Sequence, residues 1–528
     1  MKPLDPGTLF DTLAARGSRT LVRLSRPLDL APDAGTCWDV RALARLVRST
    51  AARLAAAGVR PGDHVAVVKR NHWDYVLLAC AAARIGAVPA LLSDRVPTAA
   101  LDVLLARLQP AVLLTEGPLL RAAAEQGTDL TRHAARTLTL DPGPGALAAL
   151  PDDGPCPVPR RHDDDPLVVI HTSGTTGVPK LVVHSTTTLI RRLAGFEARR
   201  WPVLTARGDD TVASAISFAH GRALAWTVSA LWHRPRQLVI IDDCDPAAAL
   251  PVLRAHPPTV LEALPSGYVR WQSSAAEPDH PFRDVRLFIS TFDAVHPPTV
   301  RTLLAATRHR RPVWMQGWGQ SETGPLSFRF FTRRSLAVRE GRHPTTRNLG
   351  RPVPGRVALR VVDPQTFAPL PRGRTGLVLA RTRARCVAYL GEEERLREKV
   401  HGAWFNTGDL GSLTPSGALL LFDREVDMIP GTSCVELEDV LHDRLAEVEE
   451  AVLLGAPGRD PLPLLVTTGG TLDRHRWAHA VHDLPPLDQP VLVDRDAVPR
   501  TATGKVRRHE LRHRYLQGAA GFGTGRWT

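Results

Sequence analysis

The sequence is most easily bounded by what it lacks. Nowhere in 528 residues is there an unbroken apolar run of the roughly 18 residues that a membrane-crossing helix needs, so no membrane span is expected. The six cysteines (Cys37, Cys80, Cys156, Cys244, Cys386 and Cys434) are far apart and form no C-x-x-C pair. This argues against a zinc site or a disulfide framework and fits a reducing compartment. Met1–Arg16 lacks the basic start and apolar centre of a secretory leader, so a cytoplasmic location is expected. Lysine is nearly missing. Only Lys2, Lys69, Lys180, Lys399 and Lys505 occur among 67 basic residues, the other 62 being arginines. The net charge of +13 comes from scattered residues with short clusters such as Arg308–Arg311 and Arg507–Arg508. It reads as biased residue usage, and no nucleic-acid partner is expected. In such a chain a surviving lysine marks a place where a compact ammonium suits better than a guanidinium. Lys180 and Lys505 both lie in motif-like surroundings.

What is present is an ordinary globular composition, 43% hydrophobic and 23% charged, long enough for more than one domain. Helical spacing over Asp39–Leu54, a Gly58–Asp63 turn, a strand at His64–Val68, a helix at Asp74–Gly86 and a strand at Val88–Leu92 set up an alternation. The alternation predicts a mostly parallel sheet with helices on both faces. Ala111–Thr115 continues it, and the Pro/Gly/Asp-rich stretch Gly143–Asp165 reads as a linker. Further on come a helix at Thr186–Ala198, strands at Thr211–Ser217, Leu238–Ile241, Val260–Leu264 and Val285–Ser290, and a helix at Arg222–Trp232. Ligands in such sheets sit at the carboxyl ends of strands. From Arg351 to Leu390 closely spaced alternating strands predict a small antiparallel β subdomain. The last hundred or so residues read as α+β, with a helix at Glu436–Leu445 and strands at Glu450–Leu454 and Leu464–Thr468.

Four stretches carry chemistry. Thr172-Ser173-Gly174-Thr175-Thr176-Gly177-Val178-Pro179-Lys180 follows the apolar strand Leu167–Ile170. Its glycines allow close backbone approach, its hydroxyls donate, and its lysine supplies a point charge, which together suit a polyphosphate. It lacks the spacing of a Walker loop. Gln316–Gly324 follows a short strand at Pro312–Met315 and contains Trp318, Ser321 and Glu322: an indole that can stack on a purine, a hydroxyl, and a carboxylate able to hold Mg2+. The bland alternative is a glycine-bracketed turn around a core tryptophan. Thr407-Gly408-Asp409 reads as a tight turn whose aspartate suits two ribose hydroxyls, or as a simple Asx turn in a hairpin. Asp423–Asp427 reads as a hinge. Gly504-Lys505, near the end, presents an isolated ammonium, the alternative being a basic solvated tail.

In this order these motifs resemble the adenylate-forming superfamily of acyl- and aryl-CoA synthetases, peptide-synthetase adenylation domains and luciferases, including its diazotase-like branch. The likeness covers nearly the whole chain, with Gly58–Asp63 and Asn71 onward matching its N-terminal portion. It implies an α/β fold with a large N-terminal domain (1–422) of two helix-flanked sheets and a small β subdomain, then a small mobile α+β domain (423–528). It implies that an acid oxygen attacks the α-phosphate of ATP, giving an acyl adenylate and pyrophosphate. By resemblance, Thr172, Ser173, Gly174, Thr175, Thr176, Gly177 and Lys180 hold the phosphates and Trp318 packs on adenine. Ser321 contacts phosphate, Glu322 ligates Mg2+, Asp409 and Arg424 hold the ribose, and Lys505 bridges the attacking oxygen and the α-phosphate. His220 borders the acid pocket, with a packing role as its alternative.

Two departures stand out. Where the family has a small glycine-rich turn beside adenine and the acid, this chain has Ser290-Thr291-Phe292-Asp293-Ala294, which with Gly317 reshapes the pocket. Asp293 either recognises an amine or cation or caps the helix near Pro298. At the hinge, Asp423 and Val426 replace the usual residues, and Pro430–Cys434 replaces the segment that contacts the pantetheine arm. The adenylating half-reaction is therefore expected intact, while CoA is an open question. The leading expectation is an ATP-dependent ligase that activates a small-molecule acid in specialised metabolism and transfers it to CoA, a carrier-protein thiol or an amine. The second is a diazotase that adenylates nitrous acid, from nitrite, and converts an arylamine to a diazonium. The third is an idle homologue acting as a binding protein.

Overall fold

Leu167, Val168, Val169 and Ile170 are all buried, as is every residue of Val88–Ser93. Unbroken apolar runs of this kind suit strands covered on both faces, as in a parallel sheet. The computed structural model describes residues 4–143, 145–154, 156, 158–159, 161–172, 178–337, 345–424, 433–455, 459–501 and 503–517. The chain divides into two compact units. One comprises the chain through Ala263 with Gln320–Gly324 and Arg383–Glu398; the other comprises Leu264–Gly319, Pro325–Thr382 and the chain from Lys399 onward.

In the first unit a seven-stranded sheet runs in the order Ala388–Tyr389, Leu181–Ser185, Pro166–His171, Val88–Ser93, His64–Lys69, Val112–Thr115, Arg136–Thr139. The last five are parallel to one another, and the first two are added antiparallel. Leu101, Leu104, Leu105 and Leu108 of helix Thr98–Leu108 pack on Ala66, Val68, Ala90 and Leu92 of the strands. A second sheet places Val260–Ala263, Thr211–Ala215, Gln237–Ile240 and Leu21–Leu24 in parallel, with Cys37–Asp39 antiparallel at the edge. The helix expected from Asp39 spans Val40–Ala56, and the Asp39 carboxylate accepts the Ala42 N–H at its start, an N-cap. The helix expected over 186–198 is instead a wide π-type helix, Thr186–Ala194, followed by Gly195–Glu197. The Thr188 hydroxyl bonds Ser185 and His184 at its start, side-chain bonding that competes with the helical ladder.

The second unit contains parallel strands Leu287–Ser290 and Val313–Gln320. Antiparallel ribbons follow: Asn348–Pro352 with Leu419–Arg424, Leu419–Arg424 with Trp404–Leu413, Trp404–Leu413 with Gly376–Thr382, and Gly376–Thr382 with Val357–Val362. A small three-stranded sheet, Val448–Leu454, Leu462–Thr467 and Val491–Leu492, packs with helices Cys434–Arg444 and Arg474–Val481 around Leu437, Leu441, Leu453 and Trp477. The α/β architecture, with a large sheet-rich part and a small C-terminal part, is as expected. Among the described residues no helix is long and apolar enough to cross a membrane.

Helix Cys434–Arg444 carries acids at 436, 439 and 443, one face at helical spacing. They pair with Arg347, His296 and Arg301. Asp439 is fully buried and accepts from His296 Nδ1 at 2.8 Å, the Thr345 hydroxyl at 2.8 Å and the Thr346 N–H at 2.7 Å. Burial alone lowers the pKa of His296, but the hydrogen bond and charge of Asp439 outweigh it and raise the pKa above its ordinary value. His442 stacks on His296 with centroids 4.2 Å apart; burial and that neighbouring charge push its pKa well down. A raised histidine contributes stability below its unfolded pKa and loses it as pH rises through the folded value; a depressed one loses its contribution as pH falls below the unfolded value. Wild-type thermal stability should therefore decline on both sides of a maximum near neutrality. His296→Gln should flatten the alkaline limb and only weaken the acid limb, since burial still depresses His442, as read by melting temperature across pH 5–9, a range bracketing the ordinary histidine pKa of about 6.5.

Candidate active site

The loop between strands Pro166–His171 and Leu181–Ser185 is pinched at its neck. The Thr172 N–H donates to the Lys180 carbonyl at 3.0 Å, and the Lys180 N–H donates to the Thr172 hydroxyl at 3.0 Å. The two ends of the expected phosphate loop therefore face each other; Ser173, Gly174, Thr175, Thr176 and Gly177 lie outside the described residues.

The Lys180 ammonium lies 3.4 Å from Glu322 Oε1 and 3.4 Å from the Tyr389 hydroxyl, and 4.8 Å from the Tyr389 ring centroid. The Tyr389 O–H donates to Glu322 Oε1 at 2.7 Å. Burial and the Glu322 charge push the Tyr389 phenol far above its ordinary range, so it stays a donor. The same surroundings push the Cys386 thiol up to about 12, which leaves it inert. Tyr389 is a site residue that sequence reading missed. It sits on a two-residue edge strand, and only its pairing with Val182 brings it to Lys180.

Ser321 is held by two histidines. His184 Nε2 donates to the Ser321 carbonyl at 2.7 Å, and His184 Nδ1 lies 3.0 Å from the Thr188 hydroxyl. Burial lowers the His184 pKa, which keeps it neutral. His184 was also missed; a lone histidine within an apolar strand gives no local signal. His220 caps helix Gly221–Trp232: its Nδ1 accepts the Arg222 N–H at 3.0 Å. That leaves Nε2 as the donor, 3.1 Å from the Ser321 hydroxyl. Thr172, Lys180, His220, Ser321 and Glu322 are thus brought together within the first unit.

In the second unit, Thr407-Gly408-Asp409 is not a turn. It lies within strand Trp404–Leu413, where the pairing with Gly376–Thr382 slips. Gly408 takes φ +71° there, the left-handed residue of a bulge. Thr407 donates to the Val378 carbonyl at 2.8 Å and accepts the Asp409 N–H at 3.2 Å, and Asp409 is buried. Arg424 ends strand Leu419–Arg424 directly opposite Asp409 in the register. The next residues of the expected hinge, and most of the replaced 430–434 segment, lie outside the described residues. Trp318 is not in a turn either: strand Val313–Gln320 runs through Gly317, Trp318 and Gly319. Trp318 packs against Leu349, Val378 and Leu419, so it shares Val378 with the Thr407–Asp409 bulge.

Ser290 pairs with Gln316 and its hydroxyl accepts the Trp314 indole N–H at 2.9 Å. Thr291 lies against Gly317, where an added Cβ would meet its methyl at 3.2 Å. Phe292 adopts φ +79°, a conformation that favours glycine and strains other residues. Asp293 is exposed and accepts the neighbouring Ala294 N–H at 3.0 Å. Helix Pro297–Ala306 has His296 at its start and no side-chain cap, which excludes the capping role for Asp293. Lys505 follows Gly504, whose φ is +78° and whose added Cβ would come within 2.7 Å of the Ser266 hydroxyl. The Lys505 N–H donates to the Thr501 hydroxyl at 3.2 Å. Its loop is therefore docked against the start of helix Pro265–Trp271.

The model of the AMP-binding enzyme family matches residues 21–390. The chain belongs to that family. Its relatives are adenylate-forming enzymes. It is 39% identical to the 3-amino-2-hydroxy-4-methoxybenzoate diazotase of Streptomyces cremeus, over 97% of this chain and 95% of that protein. It is 27% identical to the anthranilate–CoA ligase of Pseudomonas aeruginosa, covering 92% and 94% of the two. Among solved structures, the anthranilate CoA ligase AuaEII in complex with anthranoyl-AMP superposes with a TM-score of 0.80 at 20% identity, covering 98% of each chain; this likeness supports the fold.

A hydrogen bond to a buried charge contributes about 1.5–3 kcal/mol. Tyr389→Phe should therefore fold normally and lose about tenfold or more in pyrophosphate release from Mg-ATP. Full activity in that variant would detach Tyr389 from the site.

Proposed function

We propose that the enzyme is an ATP-dependent diazotase acting on nitrite and an amino-substituted aromatic acid. The observation that carries this reading is the 39% identity to a diazotase over 97% of the chain, against 27% to an aryl-CoA ligase. The pocket segment Ser290–Ala294, with its strained Phe292, supports it as a departure from the glycine-rich turn of the CoA-forming enzymes.

A nitrite oxygen attacks the α-phosphate, the bond to the β,γ-pyrophosphate breaks, and a nitroso–AMP anhydride forms. The arylamine nitrogen then attacks the nitroso nitrogen and displaces AMP with loss of a proton. Protonation and loss of water from the N-nitrosoamine give the diazonium. The phosphate loop with Thr172 and Lys180 holds the β- and γ-phosphates, Asp409 and Arg424 hold the ribose, and Trp318 packs on adenine. Ser321, fixed by His184 and His220, faces phosphate. Lys505 bridges the attacking oxygen and the α-phosphate and neutralises charge that develops in the transition state. Glu322 is a hard oxygen donor beside the loop neck and fits Mg2+, which one or two carboxylates plus substrate phosphates usually hold. When bound, the ion supplies charge neutralisation for the polyphosphate. The small C-terminal region, 423–528, acts as the mobile domain that delivers Lys505. The acceptor is the amine, so neither CoA nor a carrier protein is required.

Pyrophosphate release from Mg-ATP should require nitrite, be sustained over many turnovers by an aminohydroxybenzoate acceptor, and be indifferent to CoA. Release with anthranilate and conversion to a thioester by CoA, without nitrite, would replace this reading by that of an aryl-CoA ligase. Lys505→Ala should lose at least about 100-fold in adenylation while retaining ATP binding by calorimetry. An unimpaired rate would refute the role given to Lys505.

A further inference from the structure

Asn71 spans the two sheets of the first unit with a side chain whose three bonds all go to backbone. Its amide N–H groups donate to the Ile216 carbonyl at 3.1 Å and the Asp242 carbonyl at 2.8 Å. Its Oδ1 accepts the Phe218 N–H at 2.7 Å. Asn71 lies just past strand His64–Lys69; Ile216 and Asp242 lie just past strands Thr211–Ala215 and Gln237–Ile240. One amide therefore ties the carboxyl ends of three strands, where ligands bind in such sheets.

The turn that carries Asn71 rests on a buried polar floor. The Lys69 ammonium is fully buried and lies 2.6 Å from Asp29 and 3.9 Å from Asp74. Asp74, also fully buried, accepts the Asp29 and Leu30 N–H groups at 3.1 Å each and pairs with His72. The Tyr75 hydroxyl donates to the Lys69 carbonyl at 2.6 Å. Asp29, His72 and Asp74 could by themselves gather around a cation, but the Lys69 ammonium already supplies that charge. Buried ions that are paired and hydrogen-bonded hold one geometry, because displacing either partner leaves an uncompensated charge. The floor cannot shift to follow a moving turn.

On the far side, Phe218 leads into His220, whose N–H donates to the Ser217 carbonyl at 3.3 Å. His220 Nε2 then reaches the Ser321 hydroxyl at 3.1 Å. The guanidinium of Arg222, whose N–H fixes the His220 tautomer, is itself clamped by Glu262 at 2.8 and 2.7 Å.

We infer that Asn71 is a positioning residue: by holding Phe218 it keeps His220 in reach of the Arg222 N–H that fixes its tautomer, and through His220 it places the Ser321 hydroxyl. Its catalytic half rests on the site reading above, in which His220 and Ser321 serve the adenylating reaction. Replacing Asn71 by alanine leaves a buried N–H and two carbonyls without their partners. Asn71→Asp keeps the acceptor for Phe218 and loses both donors.

Nitrogen-15 histidine NMR on the full-length protein, with His220→Gln to identify the signal, tests the geometry. The wild type should show one His220 tautomer with the proton on Nε2. Asn71→Ala and Asn71→Asp should show an averaged His220 signal while buried His184 keeps its own. If Asn71→Ala does not fold, Asn71→Asp decides. An unchanged His220 signal in a folded variant overturns the proposal. The kinetic arm measures pyrophosphate release from Mg-ATP with nitrite and 3-amino-2-hydroxy-4-methoxybenzoate, and with anthranilate. Misplacement on the ångström scale costs up to about 100-fold, so Asn71→Ala should lose about 10- to 100-fold in kcat with the KM for ATP little changed. The Asn71→Ala/His220→Ala double variant should be no slower than His220→Ala, since residues acting as one unit are non-additive. Additive losses overturn the proposal. A slow His220→Ala enzyme beside full-rate Asn71 variants overturns it alone. A full-rate His220→Ala enzyme overturns the role of His220 and the catalytic half of the proposal together.

Discussion

An ammonium, a carboxylate and a phenol meet at the neck of the phosphate loop, and the rest of the first unit is arranged to let them. Lys180, Glu322 and Tyr389 come from three segments far apart in the chain, each on or beside a different strand. In a partly dry site a lysine and a glutamate hold each other only where hydrogen bonds satisfy what remains of both. The Tyr389 phenol does this for the glutamate, and its ring lies near the ammonium. The arrangement leaves the Lys180 charge compensated, in the place where the proposed function has it meet phosphate. It also suits one of only five lysines in the chain: an ammonium is a compact point charge, where a guanidinium is a larger planar fork.

Around the elements of the second unit proposed to bind ligand, backbone conformations that most residues avoid recur at Gly408, Gly504 and Phe292. The first two use glycine, and at Gly504 close approach to Ser266 forbids a side chain as well. Phe292 accepts the strain without that relief. Strain of this sort persists only where surroundings over-determine the conformation, and it gathers at functional sites.

The diazotase and CoA-ligase relatives share one fold, so the fold leaves the choice of acid and acceptor open. What separates them falls in short segments. The residues proposed to hold nucleotide stand in the family's motif order, in keeping with the first half-reaction proposed for this chain. The segment Ser290–Ala294 and the sequence after Arg424 depart, and in the proposed function they serve the acid pocket and the second step.

The sequence alone determined the family, the α/β class and the order of most elements, and it supplied the residues proposed to hold nucleotide. These depend on short-range rules: apolar runs make buried strands, Asp39 starts a helix, and glycine-rich loops with one lysine suit phosphate. Tertiary structure alone decided what those residues lean on. Thr407–Asp409 looked like a turn because glycine and aspartate favour turns locally; pairing on both sides made it a bulge inside a strand. Asp293 looked able to cap a helix three residues on, but the chain path kept it exposed. Tyr389, His184 and Asn71 carry no local mark, since their importance comes from partners 67, 137 and 147 residues away. A hydrogen bond between distant segments exists only after the sheets have formed, and no periodicity or motif in one stretch of chain can announce it.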